Sequence, residues 1–179
     1  MRQLQKEAQG YLELGMHRHA LTTLDRLTDD ESLSDTTTLM LRAEALRSLH
    51  QFDEALAPLL RVADRDPDAV DARMAIGWCQ KRLGRLDLAI EALEEAAKAE
   101  PYNALVQYNL ACYFSLQNDK SRAMTHLAHA LAIEPDLRKL IDEESDFDNV
   151  RSDPDFKALH TAMTETAPPD DKRDRPHDQ

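Results

Sequence analysis

A chain of 179 residues can hold one domain with a real core or one short repeat array. Four glycines, an Ala-, Leu-, Arg- and Glu-rich composition and few β-branched residues favour helix over strand throughout. The formal net charge of −12 leaves little room for a phosphate-neutralising surface, which argues against nucleic acid as a partner, and an anionic membrane would repel the chain. The opening residues MRQLQKEAQG lack the apolar core of a signal peptide, and no run approaches the ~18 apolar residues of a membrane span. Cys79 and Cys112 are the two cysteines, read as free, reduced thiols. The expectation is a soluble, cytoplasmic, all-helical protein.

Internal repetition gives the architecture. Pro67, Pro101 and Pro135 each follow an acidic residue and stand 34 residues apart. At one fixed distance upstream of each proline comes an alanine, Ala55, Ala89 or Ala123, and four residues later a leucine, Leu59, Leu93 or Leu127. This period and these slots resemble the tetratricopeptide repeat, whose pattern runs W-x2-L-G-x2-Y, then A-x3-F, then P. The resemblance implies an all-α, right-handed α-solenoid of antiparallel helix pairs. Small residues at the Gly and Ala slots let the two helices of a pair approach. The proline ends the second helix, because it lacks the helical N–H and biases its predecessor away from α.

Taken in chain order, a degenerate unit spans residues 1–35. Leu4, Ala8, Tyr11, Ala20 and Leu24 fill its slots if the terminal loop TDDESLSD is one residue longer and lacks the proline. The unit 36–69 offers Leu39, Ala43, Leu46, Ala55, Leu59 and Pro67, with Arg42 in an apolar slot. Pro58 falls just past the first turn of its second helix, where a small kink is expected. The unit 70–103 carries Ile76, Gly77, Ala89, Leu93 and Pro101, with Arg73 and Gln80 in the Trp and Tyr slots. The unit 104–137 carries Leu110, Ala111, Phe114, Ala123, Leu127 and Pro135. Residues 138–165 supply Leu140, Ile141, Phe156, Leu159 and Met163 at helical spacing, a C-terminal helical cap of the kind a solenoid needs. Its phrase DFDNVRSDPDF is similar to an ending of many bacterial tetratricopeptide proteins. Residues 166–179, TAPPDDKRDRPHDQ, have almost nothing to bury and are expected to be disordered.

Motifs for chemistry are sparse. Asp142, Glu144, Asp146 and Asp148 alternate like calcium-loop ligands, but Phe147 stands where the tight turn needs Gly, and Asp153 replaces the bidentate Glu. His126 and His129 form half of a metal site and are read as surface histidines, and His17 and His19 are weaker still. No phosphate loop, nucleophile elbow or HExxH occurs. The expectation is a non-enzymatic chain with no catalytic residue, cofactor or metal.

Tetratricopeptide domains bind extended or helical peptides on the concave surface lined by the first helices. With Arg73, Ile76, Gly77 and Gln80 as the packed side, Trp78 lies roughly 140° away. Asp71, Met74, Lys81 and Arg82 share its face. One repeat away, Met40 and Tyr108 correspond to Met74, Glu44 and Cys112 to Trp78, and Arg47 to Lys81. The expected groove floor is therefore Met40, Met74, Trp78, Tyr108 and Cys112, ending at Leu105 and Leu116, with Arg47, Lys81 and Arg82 along the other side. A Met- and Trp-lined floor suits an apolar or amphipathic segment, and the cations favour acidic residues in it. The register equally allows Trp78 to fill space between first helices or to lie under the chain's own cap or tail. The carboxylate clamp of chaperone-binding relatives has Lys and Asn where this chain has Gln5, Gln9, Met40 and Glu44, which argues against C-terminal EEVD-type peptides. Cys79 reads as a packing residue. The resemblance implies a bacterial-type adaptor with one protein partner. The alternatives are a chaperone similar to the type III translocator chaperones and a self-associating structural subunit.

Overall fold

A computed structural model describes residues 3–27 and 35–165, with the side chains of His160 and 162–165 outside the description. The expected tail and most of the loop TDDESLSD thus lie outside the described residues, as does the side chain of Met163. Four antiparallel helix pairs follow one another: α1 (Gln3–Glu13) with α2 (His17–Leu24), α3 (Thr36–Ser48) with α4 (Phe52–Arg65), α5 (Val70–Arg82) with α6 (Leu86–Ala99), and α7 (Ala104–Leu116) with α8 (Lys120–Ile133). Beyond them come a 3₁₀ turn at Pro135–Leu137, the short α9 (Arg138–Ile141), a second 3₁₀ turn at Ser145–Phe147 and α10 (Pro154–Glu165). The described residues contain no strand. The pairs stack as an α-solenoid.

One hinge design joins every pair. Gly15, His50, Gly84 and Asn118 occupy equivalent positions, each with a left-handed φ of 60–73°. The residue after each donates its N–H back to a carbonyl five residues earlier: Met16 to Tyr11, Gln51 to Leu46, Arg85 to Gln80 and Asp119 to Phe114, at 2.7–2.9 Å. This closes the first helix with a left-handed cap and reverses the chain. Helix starts are specified by side chains where the sequence allows. Asp35, Asn103 and Asp119 accept from the N–H groups of Thr38, Val106 and Arg122.

Packing within a pair explains the small-residue slots. A Cβ on Gly77 would lie 3.1 Å from the Ala89 carbonyl oxygen and 3.1 Å from Leu93 Cγ, so α5 and α6 touch backbone to side chain there. Arg73 and Gln107, equivalent residues in the slot where the family pattern has Trp, share a polar role. Arg73 Nε donates to the Pro67 carbonyl at 2.8 Å and Gln107 Nε2 to the Pro101 carbonyl at 2.9 Å, satisfying the acceptors of the preceding inter-repeat turns. Pro58 is buried within α4, which runs on to Arg65.

His126 departs from the expected surface position. It is half-buried, stacked on Phe114 at 5.3 Å between centroids, with Nδ1 2.7 Å from Gln107 Oε1. Burial, and then the neighbouring His129, hold its pKa below the usual histidine value. Cys79 is fully buried in the α3–α6 core, and burial raises its thiol pKa.

Candidate functional site: the concave surface

The expected groove divides into a closed and an open half. At the C-terminal end the segment Ser145–Phe147 folds back onto α7. Phe147 is fully buried, edge-on to Tyr108 at 5.6 Å and tilted against Phe156 at 5.6 Å. Asp146 forms an ion pair with Lys81, whose ammonium also lies 5.4 Å from the Tyr113 ring centre. Tyr108 and Cys112, expected on the groove floor, are therefore buried beneath the chain's own cap. The cap covers them because it carries the aromatic and the carboxylate that this surface pairs with. Arg151 fastens the segment from behind through the carbonyls of Ile141 and Glu144, at 3.1 and 2.9 Å.

Cys112, Glu144 and Asp146 each bring a ligand-type atom within 4.8 Å of the others, a juxtaposition invisible in sequence spacing. Lys81 supplies positive charge at the same place. Burial first, and then Asp146 and Glu144, push the Cys112 thiol far above its usual pKa, so the sulfur is protonated and weakly nucleophilic. Burial likewise raises the pKa of the Tyr108 phenol, whose hydroxyl is enclosed without a hydrogen-bond partner.

The N-terminal half is open. A cavity of about 870 Å³ lies between α1, α3 and α5, its wall including Gln9, Leu12, Met40, Glu44, Arg47 and Trp78. Met40 is half-buried, Glu44 exposed and Leu12 buried. Trp78 is half-buried at the cavity edge, where Phe52 meets its ring edge-on at 5.2 Å. The Arg47 guanidinium lies over the indole at 4.6 Å, and that of Arg82 at 5.7 Å. One side of Trp78 is thus packed within the solenoid and another borders open volume. Met74 is half-buried on α5 and packs against the C-terminal core. Asp71 is exposed and borders a second hollow of about 300 Å³ at the start of α5. Leu105 is exposed and Leu116 half-buried.

Sequence reasoning missed Phe52 because it reaches Trp78 from a second helix, outside the first-helix rows used to build the groove. It also missed Leu12 and Thr36. Leu12 lies in the degenerate unit, where slot matching is weakest.

The sequence pattern of the tetratricopeptide repeat matches residues 40–104 and 80–136, together more than half of the chain. The chain belongs to the tetratricopeptide repeat family. A human relative of this tetratricopeptide protein, general transcription factor 3C polypeptide 3, is 31% identical over 87 residues, which cover 49% of this chain and 10% of that protein. The chain thus spans about one tenth of the length of this curated relative. Among solved structures, MamA (residues 41 to the end) from Desulfovibrio magneticus RS-1 superposes with a TM-score of 0.74 at 23% identity, covering 92% of this chain and 96% of that one. YrrB, described as a tetratricopeptide protein with an unusual peptide-binding site, gives 0.66 at 21% identity, covering 76% and 70%. These likenesses establish the α-solenoid fold, one that implies protein–protein interaction. Among the described residues, no helix is long and apolar enough to cross a membrane.

Proposed function

We propose that this tetratricopeptide protein is a non-enzymatic adaptor that holds an apolar or amphipathic peptide segment of a protein partner in the N-terminal half of its concave surface. The observation that carries this reading is the open cavity of about 870 Å³ between α1, α3 and α5, beside a C-terminal half already filled by the cap. Its size lies in the range of sites that enclose small ligands or a few peptide side chains. Its wall mixes apolar surface from Leu12, Met40 and Trp78 with polar groups from Gln9, Glu44 and Arg47. Such a wall recognises a peptide by burying one side chain and orienting its neighbours. Recognition is an equilibrium on a stiff scaffold, with no covalent step.

A peptide-display selection tests this. Wild-type protein serves as bait, with a Glu44→Trp variant, which fills the cavity from an exposed position, as counter-bait. Peptides that bind wild type and lose the variant are the expected result. If every enriched peptide binds both proteins equally, the cavity is not the recognition site.

A further inference from the structure

The cap displays the ligand chemistry that this solenoid's inner surface accepts. Its segment Ser145–Asp148 sets a carboxylate, Asp146, on a cation presented by α5, and the next residue, Phe147, against an aromatic of α7. The cation, Lys81, lies beside an aromatic ring, that of Tyr113. One repeat earlier the cation of this arrangement recurs beside an aromatic ring, without an occupant from the cap, although the ring-bearing positions differ. Arg47 on α3 stands where Lys81 stands on α5, and Met74 on α5 stands where Tyr108 stands on α7.

Arg47 is a half-buried cation on an aromatic face, 4.6 Å above Trp78. Its Nε is buried and has no hydrogen-bond partner, and among the described residues no carboxylate pairs with its guanidinium. A guanidinium stacked on an indole spends its flat face on the ring and keeps its in-plane N–H donors for an acceptor. Arg47 also lines the open cavity, which places its guanidinium where a ligand carboxylate can be received.

We infer that the open half binds a short acidic–aromatic peptide, an Asp or Glu followed by an aromatic residue. Its carboxylate is received by Arg47 and its ring enters the cavity between Met40 and Trp78. This rests on the adaptor reading above and names its ligand class. Arg82, exposed and 5.7 Å from the Trp78 ring centre, adds positive charge on the same side. Glu44 lines the cavity too, so the acidic residue belongs at the Arg47 end.

Trp78 is the single tryptophan of the chain, so intrinsic fluorescence reports from the site. The probe is a blocked synthetic peptide copying residues 144–149, Glu-Ser-Asp-Phe-Asp-Asn, titrated into the full chain. Wild type is expected to give a saturable change in Trp78 emission. Arg47→Gln weakens binding about tenfold or more, as expected for losing a charged hydrogen bond. Arg47→Lys, which keeps the charge without the fork, recovers part of it. Copies of the peptide carrying Asp146→Asn or Phe147→Ala bind more weakly than the parent. Lys81→Gln leaves the titration intact, because that cation serves the cap. Unchanged circular dichroism melts qualify each variant.

Three outcomes overturn the inference. One is the absence of any saturable signal, which leaves the display selection free to find another ligand class. Another is binding lost in Lys81→Gln but kept in Arg47→Gln, which means the peptide merely replaces the cap. The third is a concentration-dependent dimer by light scattering that the peptide does not compete away, which assigns the face to a second copy.

Discussion

Two glycines of the third repeat are favoured for different reasons, and one experiment separates them. Gly84 takes a φ of 73° at the turn, with nothing within 4 Å of a Cβ built on it. Gly77 sits in ordinary helix, but its Cβ would press on the Ala89 carbonyl and on Leu93. Gly84→Ala is therefore a backbone cost of roughly 1–2 kcal/mol. Gly77→Ala is a packing cost of about 1–3 kcal/mol, because α5 must move away from α6. Denaturant melts give both magnitudes. Adding Leu93→Ala to each tells them apart: it relieves part of the Gly77→Ala cost and none of the Gly84→Ala cost. A Gly77→Ala cost unchanged by that truncation assigns the clash to the Ala89 carbonyl alone, and a Gly77→Ala variant as stable as wild type contradicts the close-approach explanation. The repeat slots made Gly77 legible in the sequence. The need for a left-handed residue at four equivalent turns was obscured, because His50 and Asn118 fill it in two of them.

At the scale of elements, the 3₁₀ turn Ser145–Phe147 separates what the sequence could tell from what it could not. Helix pairs were readable because stacking imposes the same residue sizes at one interval. The cap contacts recur nowhere: Lys81 and Asp146 meet across a sequence separation of 65, and no period encodes that. So Asp146 read only as part of a failed calcium-loop pattern and Tyr108 as open floor, whereas both are buried. Phe147→Ala is expected to cost about 3–5 kcal/mol if the site fails to collapse. It should also uncover Cys112, 2% exposed beneath the cap, while Cys79, at 0% within the α3–α6 core, stays protected. Maleimide labelling followed by peptide mapping checks this. Equal acceleration at both thiols means global loosening rather than release of the cap.

For the whole molecule, the core is unevenly distributed. The largest buried cluster joins the third and fourth repeats to the cap, with Phe114, Phe147 and Phe156 in it. Among the described residues, the buried members of the N-terminal cluster are alanines and leucines, with Tyr11 half-buried against them. In a solenoid each repeat depends mainly on its neighbours, so local stability should follow that gradient. Native-state hydrogen exchange is expected to show α7 and α8 protected to the global limit, and α1 and α2 opening first. Uniform protection along the chain contradicts it. The open cavity takes one wall from α1 and so lies at the softer end. A peptide bridging α1, α3 and α5 would then slow exchange in α1 more than in α7.

The Lys81–Asp146 contact gives the concave surface a direction. A trough open at both ends lets an extended ligand slide and bind in several registers. Here the far end is plugged by the chain itself, so an incoming segment meets a wall one repeat beyond Arg47. On the adaptor reading proposed above, its leading residue would be held against that wall. The scaffold would then act as a gauge for a terminus or a turn of its partner, and a long uninterrupted strand would fit it poorly.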